Sequence, residues 1–219
     1  MTRTLETGEV RRFYDRLGSR QDWQSFYEDP ALDVLIREAG FPGARHVLEF
    51  GSGTGRLAER LLCRELPAEA SYLGIDVSST MVALASRRLA PFGPRARVAL
   101  SEGAVRLPFE RGSFDRFVST YVLDLLAEER ILELLAGAHG LLAPAGRLCL
   151  ASLTRGRAFP CSVISRAWAT VHSLRPGLLG GCRPIEIRAL LDPALWRTRH
   201  REVIAAWGIP SEVLVAEPL

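Results

Sequence analysis

The segment Glu49-Phe50-Gly51-Ser52-Gly53-Thr54-Gly55 lies between a short apolar run and a stretch with helical spacing. Three glycines at alternate positions let the backbone turn sharply and approach a ligand closely. The helix start beyond them offers free N–H groups to a polar or anionic ligand. A dinucleotide fingerprint, G-x-G-x-x-G, would need glycine where Arg56 stands. The spacing here is G-x-G-x-G, with an acid, Glu49, two residues ahead of the first glycine. Asp76 closes the next strand-like run, where a carboxylate can accept both hydroxyls of a ribose. Capping of the following helix falls to Ser78, which leaves Asp76 for a ligand. Turn, acid and element order together predict a site for a ribose-bearing molecule.

The elements that must hold these residues are legible from periodicity. His46–Phe50, Tyr72–Asp76, Arg97–Ser101, Phe114–Thr120 and Arg147–Ser152 read as buried strands. Helical stretches over 54–65, 78–89 and 127–142 alternate with them. This alternation predicts a doubly wound α/β fold, a parallel sheet covered on both faces. His200–Trp207 and Glu212–Ala216, separated by Gly208-Ile-Pro-Ser211, read as a closing antiparallel hairpin. Ahead of the first strand, residues 4–28 are helical and aromatic-rich. Asp29-Pro30 then predicts a fresh helix start, and Gly40 its end. Residues 154–196 fit poorly as one crossover helix and are expected to form a cap over the sheet edge, so the chain divides into an N-terminal helical unit, 1–43, and a larger unit, 44–219.

Composition narrows the chemistry further. With 219 residues, 47% of them hydrophobic, the chain can bury a full core without staples. All 28 basic residues are Arg, and there is neither Lys nor Asn. Schiff-base chemistry and a P-loop are therefore excluded, as is Asn-linked glycosylation. A net charge of +3 with no basic block gives no footprint for nucleic acid. No apolar run is long enough to span a bilayer, and the N-terminus is polar and mixed in charge, unlike a secretory signal. Cys63, Cys149, Cys161 and Cys182 are scattered, without a C-x-x-C pair or His at ligand spacing. They are expected to be reduced, mostly buried thiols of a cytoplasmic protein.

The segment Val47–Gly55 resembles motif I of the class I S-adenosylmethionine (SAM)-dependent methyltransferases. Gly74-Ile75-Asp76-Val77-Ser78 with Met81 is similar to that family's ribose and adenine segment. Leu107-Pro108-Phe109, Ser113-Phe114-Asp115, Val122-Leu123 and Leu141–Leu148 resemble its small-molecule branch, which includes the ubiquinone and menaquinone C-methyltransferases. The resemblance implies a Rossmann-like sheet of seven strands with an antiparallel C-terminal hairpin, and SAM as cofactor. It implies that Gly51, Ser52, Gly53 and Gly55 lie along the methionine part, oriented by Glu49, and that Asp76 takes the ribose. Val77 and Met81 would pack on the adenine, and Ser119 and Thr120 would border the sulfonium. The family's Asp-Ala that meets the adenine amine is replaced here by Gly103-Ala104, so Glu102 or the Ala104 backbone would serve. Phe13-Tyr14-Asp15 resembles the N-terminal Tyr-Asp that covers SAM in similar enzymes, which would make residues 1–43 a lid with Tyr14 on the cofactor; the other reading of Tyr14 is core packing.

Methyl transfer is an in-line displacement, so positioning and exclusion of water supply most of its catalysis, and a base is needed only for an acceptor that must lose a proton. Among four His, His46 starts a strand far from the ligand, His139 is expected to be exposed, and His200 lies in the hairpin. His172, in the cap, is the one plausible base; Asp124 and Tyr121, after the fourth strand, are further candidates. The fourth strand runs into Ser119-Thr120-Tyr121-Val122, not the Pro-Pro-aromatic motif of amino-methylating nucleic-acid enzymes. Without Asn, the Asp/Asp/Asn magnesium site of catechol-type enzymes cannot be built, so no metal is expected. Phe159, Ile164, Trp168, Leu178 and Leu179 in the cap suggest a small apolar or aromatic acceptor, with Arg155, Arg157, Arg166 and Arg183 able to hold an acidic group. The chain is expected to be a monomer or homodimer. Competing readings are a SAM-binding protein without catalysis, an NAD(P)-dependent oxidoreductase, and an enzyme working on lipid headgroups.

Overall fold

A computed structural model describes residues 6–156, 161, 170 and 181–219. Seven strands, β1 (His46–Phe50), β2 (Ser71–Asp76), β3 (Ala96–Leu100), β4 (Phe114–Thr120), β5 (Leu142–Leu153), β6 (Trp196–Ala206) and β7 (Ile209–Pro218), form one sheet in the order β3-β2-β1-β4-β5-β7-β6. The first five pair in parallel, and β7 is antiparallel to both β5 and β6. The expected Rossmann-like α/β sheet with its terminal hairpin is what the chain forms.

Alternation along the strands assigns the two faces. Val47, Val118, Cys149 and Val215 point to one side, where α2 (Ser25–Ala39) and α3 (Arg56–Arg64) bring Leu35, Leu57 and Leu61. Leu48, Phe117, Leu148 and Leu214 point to the other, beneath Ile131, Leu134 and Leu135 of α5 (Glu128–Leu141). Both faces are apolar because both are covered. The outer strand β6 is different: Arg197, Glu202 and other charged residues are exposed along it, which discourages pairing with another sheet.

Three boundaries differ from the sequence reading. Pro30 lies inside α2, which starts at Ser25, not at Asp29-Pro30. The turn ahead of Pro30 stays helical because Tyr27 packs edge-on against Tyr121, with ring centroids 5.9 Å apart, and Arg56 pairs with both Glu28 and Asp29. These contacts offset the one backbone bond that proline removes. Strand β5 begins at Leu142, and its pairing with β4 jumps from Phe114↔Leu142 to Arg116↔Arg147, so the Pro144–Gly146 turn bulges out of a continuing strand.

The hairpin turns at Trp207-Gly208, two residues earlier than the glycine and proline suggest. Pro210 is accommodated in β7 because its carbonyl accepts from Thr154 N and its missing N–H falls just past the last β5 pair, Leu153↔Ser211. Trp207 (φ 52°) and Gly208 (φ 79°) are both left-handed, the geometry of a two-residue type I′ turn that normally takes Asn-Gly. Trp207 is 80% exposed, so little packing offsets its backbone cost. Trp207→Asn is expected to stabilise the fold by about 1 kcal/mol, measured as a shift in denaturant midpoint. A loss of stability would show that the indole contributes contacts worth more than the strain.

Candidate active site

Strand order reverses between β1 and β4, and a cavity of about 540 Å³ opens at the carboxyl ends of these strands. Its floor comes from Phe50 and Gly51 at the end of β1, Ile75 and Asp76 at the end of β2, and Thr120–Val122 after β4. The roof is the N-terminal segment: Thr7, Val10 and Tyr14 of α1 (Thr7–Leu17) and Gln21 of the 3-10 turn Gly18–Gln24.

The glycine loop is built into this floor. Gly51 N and Ser52 N both donate to the Ile75 carbonyl, at 2.8 and 3.1 Å. Gly51, with φ at 79°, passes so close to Val122 that a Cβ would lie 2.3 Å from its Cγ2. Asp76 accepts from Gly53 N and Ser78 N, each at 2.9 Å, and so ties the loop to the end of β2. The Val77 backbone N–H is a third donor to this carboxylate, so of its roughly four lone-pair sites at least one is left for a ligand in the cavity. Burial raises the Asp76 pKa, against the backbone N–H bonds that lower it.

Two carboxylates latch the roof. Ser78 caps α4 (Ser79–Leu89), as its sequence position predicts, by accepting from Met81 N, while its hydroxyl donates to Asp15 at 2.6 Å. Asp22 accepts from Thr54 Oγ1 at 2.5 Å and from Arg88 Nη2 at 2.7 Å. Arg130 of α5 donates to Thr7 Oγ1 and to the Gly103 carbonyl, closing the roof on the loop after β3.

Of the residues singled out from sequence, Tyr14, Gly51, Gly53, Asp76, Val77, Gly103, Thr120 and Tyr121 line the cavity. Others stand behind the wall. Glu49 is buried beneath the loop, accepts from the Tyr72 hydroxyl at 2.5 Å, and is pushed up to about 8 by burial. Ser52 is buried, Gly55 opens α3, and the Ser119 hydroxyl donates to the Phe50 carbonyl. Met81 is off the wall as well, because with Ala85 and Leu89 it forms the inward stripe of α4. Glu102 and Ala104 point outward, since the turn at Gly103 (φ 88°) presents the glycine to Thr7. His172 and the apolar cap residues lie outside the described residues. His139 is half-buried, edge-on to Trp196 at 5.2 Å, where exposure was expected. Cys63 is exposed, and Cys149 and Cys182 are buried.

Asp124 neither faces solvent nor lies on the cavity wall. Its fully buried carboxylate sits next to Tyr14, Tyr27 and Cys182, and neither oxygen has a hydrogen-bond partner of normal geometry among the described residues. Burial pushes it up to about 7. An acid raised in the folded state holds its proton there at pH values where the unfolded chain has lost it. Stability from this group is thus full below about pH 4 and declines as pH rises towards about 7. The stability of wild type relative to Asp124→Asn is expected to fall across that window, read from denaturant midpoints. Parallel profiles would mean that the carboxyl is not desolvated.

Gln21, Thr7, Ser101, Arg130, Leu125 and Leu126 also line the cavity, and the sequence did not single them out. Gln21 and Thr7 arrive by a tertiary fold-back that no local pattern encodes. Val122 stood inside a family-like motif and carried the only available signal.

Residues 47–146 match the family model described as a methyltransferase domain. Over that stretch, a little under half of the chain, the sequence is similar to methyltransferases. Juvenile hormone acid O-methyltransferase of Drosophila melanogaster is 29% identical over 67% of the chain and 43% of that protein. A ubiquinone/menaquinone biosynthesis C-methyltransferase of Desulfotalea psychrophila is 32% identical over 61% of the chain and 49% of its own length. The chain thus spans about half, or less, of these curated relatives. Geranyl diphosphate C-methyltransferase from Streptomyces coelicolor A3(2), solved with Mg2+, geranyl diphosphate and S-adenosyl-L-homocysteine, shares the fold over 100% of both chains, at a TM-score of 0.72 and 11% identity. Among the described residues, no helix is long and apolar enough to cross a membrane, and no three His, Cys, Asp or Glu side chains cluster as a metal site would require.

Proposed function

We propose that this chain is a SAM-dependent methyltransferase that acts, without a metal, on a small apolar or aromatic acceptor. The observation that carries this reading is the division of the cavity into two unlike halves. One half is polar: the glycine loop, Asp76 and the Gln21 amide, one buried atom of which has no partner among the described residues. The other is apolar and aromatic, formed by Tyr14, Tyr121, Val122 and Leu125. The volume lies within the range of about 300–1,000 Å³ typical of small-ligand sites. The named relatives support the acceptor class: one is an O-methyltransferase of a hormone acid and the other a C-methyltransferase of quinone biosynthesis.

The polar half fits SAM. When bound there, SAM supplies an electrophilic methyl group on its sulfonium. Asp76 would hold the ribose with its remaining acceptor capacity, the Gly51–Gly55 loop would carry the methionine part, and Val77 with Gly103 would flank the adenine. Thr120 would border the reacting end, which places it at the junction with the apolar half. Arg130, Asp15 and Asp22 tie the roof to the floor, which would limit the access of water to the displacement. Of the candidates for taking a proton from the acceptor, Tyr121 presents its ring to the cavity and donates its hydroxyl to Ser211, and Asp124 stands one layer behind.

Saturating S-adenosylhomocysteine and SAM are expected to raise the thermal midpoint by several degrees, and NADH at equal concentration to leave it unchanged. An NADH shift alone would replace this reading with a dinucleotide enzyme. No shift with any of the three would reject a nucleoside site. EDTA is expected to leave the stabilisation by SAM intact.

A further inference from the structure

We propose that Gln21 is the residue that recognises the amino-acid end of the methyl donor, an inference that rests on the SAM reading above. Its side chain descends from the roof onto the glycine loop. A Cβ built on Gly53 would stand 3.2 Å from Gln21 Nε2 and 3.3 Å from Oε1, so the amide lies directly over that glycine. Gln21 also lines the cavity, yet its Oε1 is buried with no hydrogen-bond partner among the described residues. A buried amide oxygen left unpaired is costly, and such atoms ordinarily have a partner.

The neighbouring residue explains how the amide is held there. Asp22 accepts from Thr54 Oγ1 and from Arg88, which pins the 3-10 turn to the same loop one residue further on. Gln21 is therefore aimed by its neighbour's anchor and leaves its own polar atoms for a ligand. An amide offers an acceptor and two donors within one group, whichever way it is turned. The part of SAM that would lie against the loop ends in an ammonium and a carboxylate, one a donor and one an acceptor. Gln21 matches that pair. It is a specificity-determining residue for the zwitterionic tail.

The test separates the tail from the rest of the donor. S-adenosylhomocysteine carries the amino-acid end; 5′-methylthioadenosine keeps the adenosine and sulfur but lacks it. Titration calorimetry of wild type, Gln21→Ala and Gln21→Leu with both probes is expected to show about a tenfold loss for S-adenosylhomocysteine in each variant, because bonds to charged groups are the strong ones. Binding of 5′-methylthioadenosine is expected to change less than twofold. Equal losses for both probes would overturn the proposal and make Gln21 a roof strut. Unchanged affinity for S-adenosylhomocysteine would overturn it as well. If wild type binds neither probe, the SAM reading itself falls, and this inference with it.

Discussion

Asp76→Ala is expected to abolish the stabilisation by S-adenosylhomocysteine. A ligand at about 100 times its dissociation constant contributes roughly 2.7 kcal/mol, or about 5–10 °C in midpoint for a domain of this size. The loss has two sources in the structure. The carboxylate is the group proposed to hold the ribose, and it also fixes Gly53 and Ser78 through their N–H groups, so its removal loosens the loop. Glu102→Ala is the matched control. That side chain points away from the cavity, so the shift should survive in full. A shift retained in Asp76→Ala, measured by scanning fluorimetry at several ligand concentrations, would move the ribose elsewhere.

The second large effect is expected at Gly51. Alanine there meets two separate penalties. At φ 79° the left-handed backbone costs an L-residue about 1–2 kcal/mol, and the new Cβ collides with Val122 Cγ2 for roughly 1–3 kcal/mol more. Gly51→Ala should therefore destabilise the fold by about 2–5 kcal/mol. The two parts can be separated, because Val122→Ala removes the collision and leaves the backbone term. In a double-mutant cycle the pair should regain about 1–3 kcal/mol relative to additivity. Strict additivity would mean that the loop moves aside, and the close approach of loop and β4 would not be a constraint.

The sheet was readable in the sequence because its signals are local: Val47–Phe50 and Phe114–Thr120 alternate between two apolar faces, and Ser78 sits at a cap position followed by an inward stripe. The polar floor was readable for the same reason, since Gly51, Gly53 and Asp76 lie at the ends of those strands. What escaped depends on distant partners. Pro30 reads as a helix start until Tyr27 meets Tyr121 across the fold. Met81, read as an adenine contact from its place in the motif, is buried with Ala85 and Leu89 along α4. Gln21 carries no mark in its neighbourhood; only the Asp22 bond to Thr54 places it on the loop.

Strand β7 lies between β5 and β6, and its residues from Pro210 to Ala216 are all buried. A strand wedged between two partners orders the assembly of the sheet. The β6–β7 turn closes over two residues and can form within microseconds, whereas β5 and β7 come together only across a long stretch of chain. The hairpin then docks as a preformed ribbon. Until it does, the β5 edge, from Leu148 to Leu153, is bare and apolar. The arrival of this ribbon is expected to be the slow step of folding, and the chain before it to be the most exposed to aggregation. Substitutions at the β5–β7 seam should therefore govern the rate of folding, while those around Gly51 and Asp76 govern what the folded molecule holds.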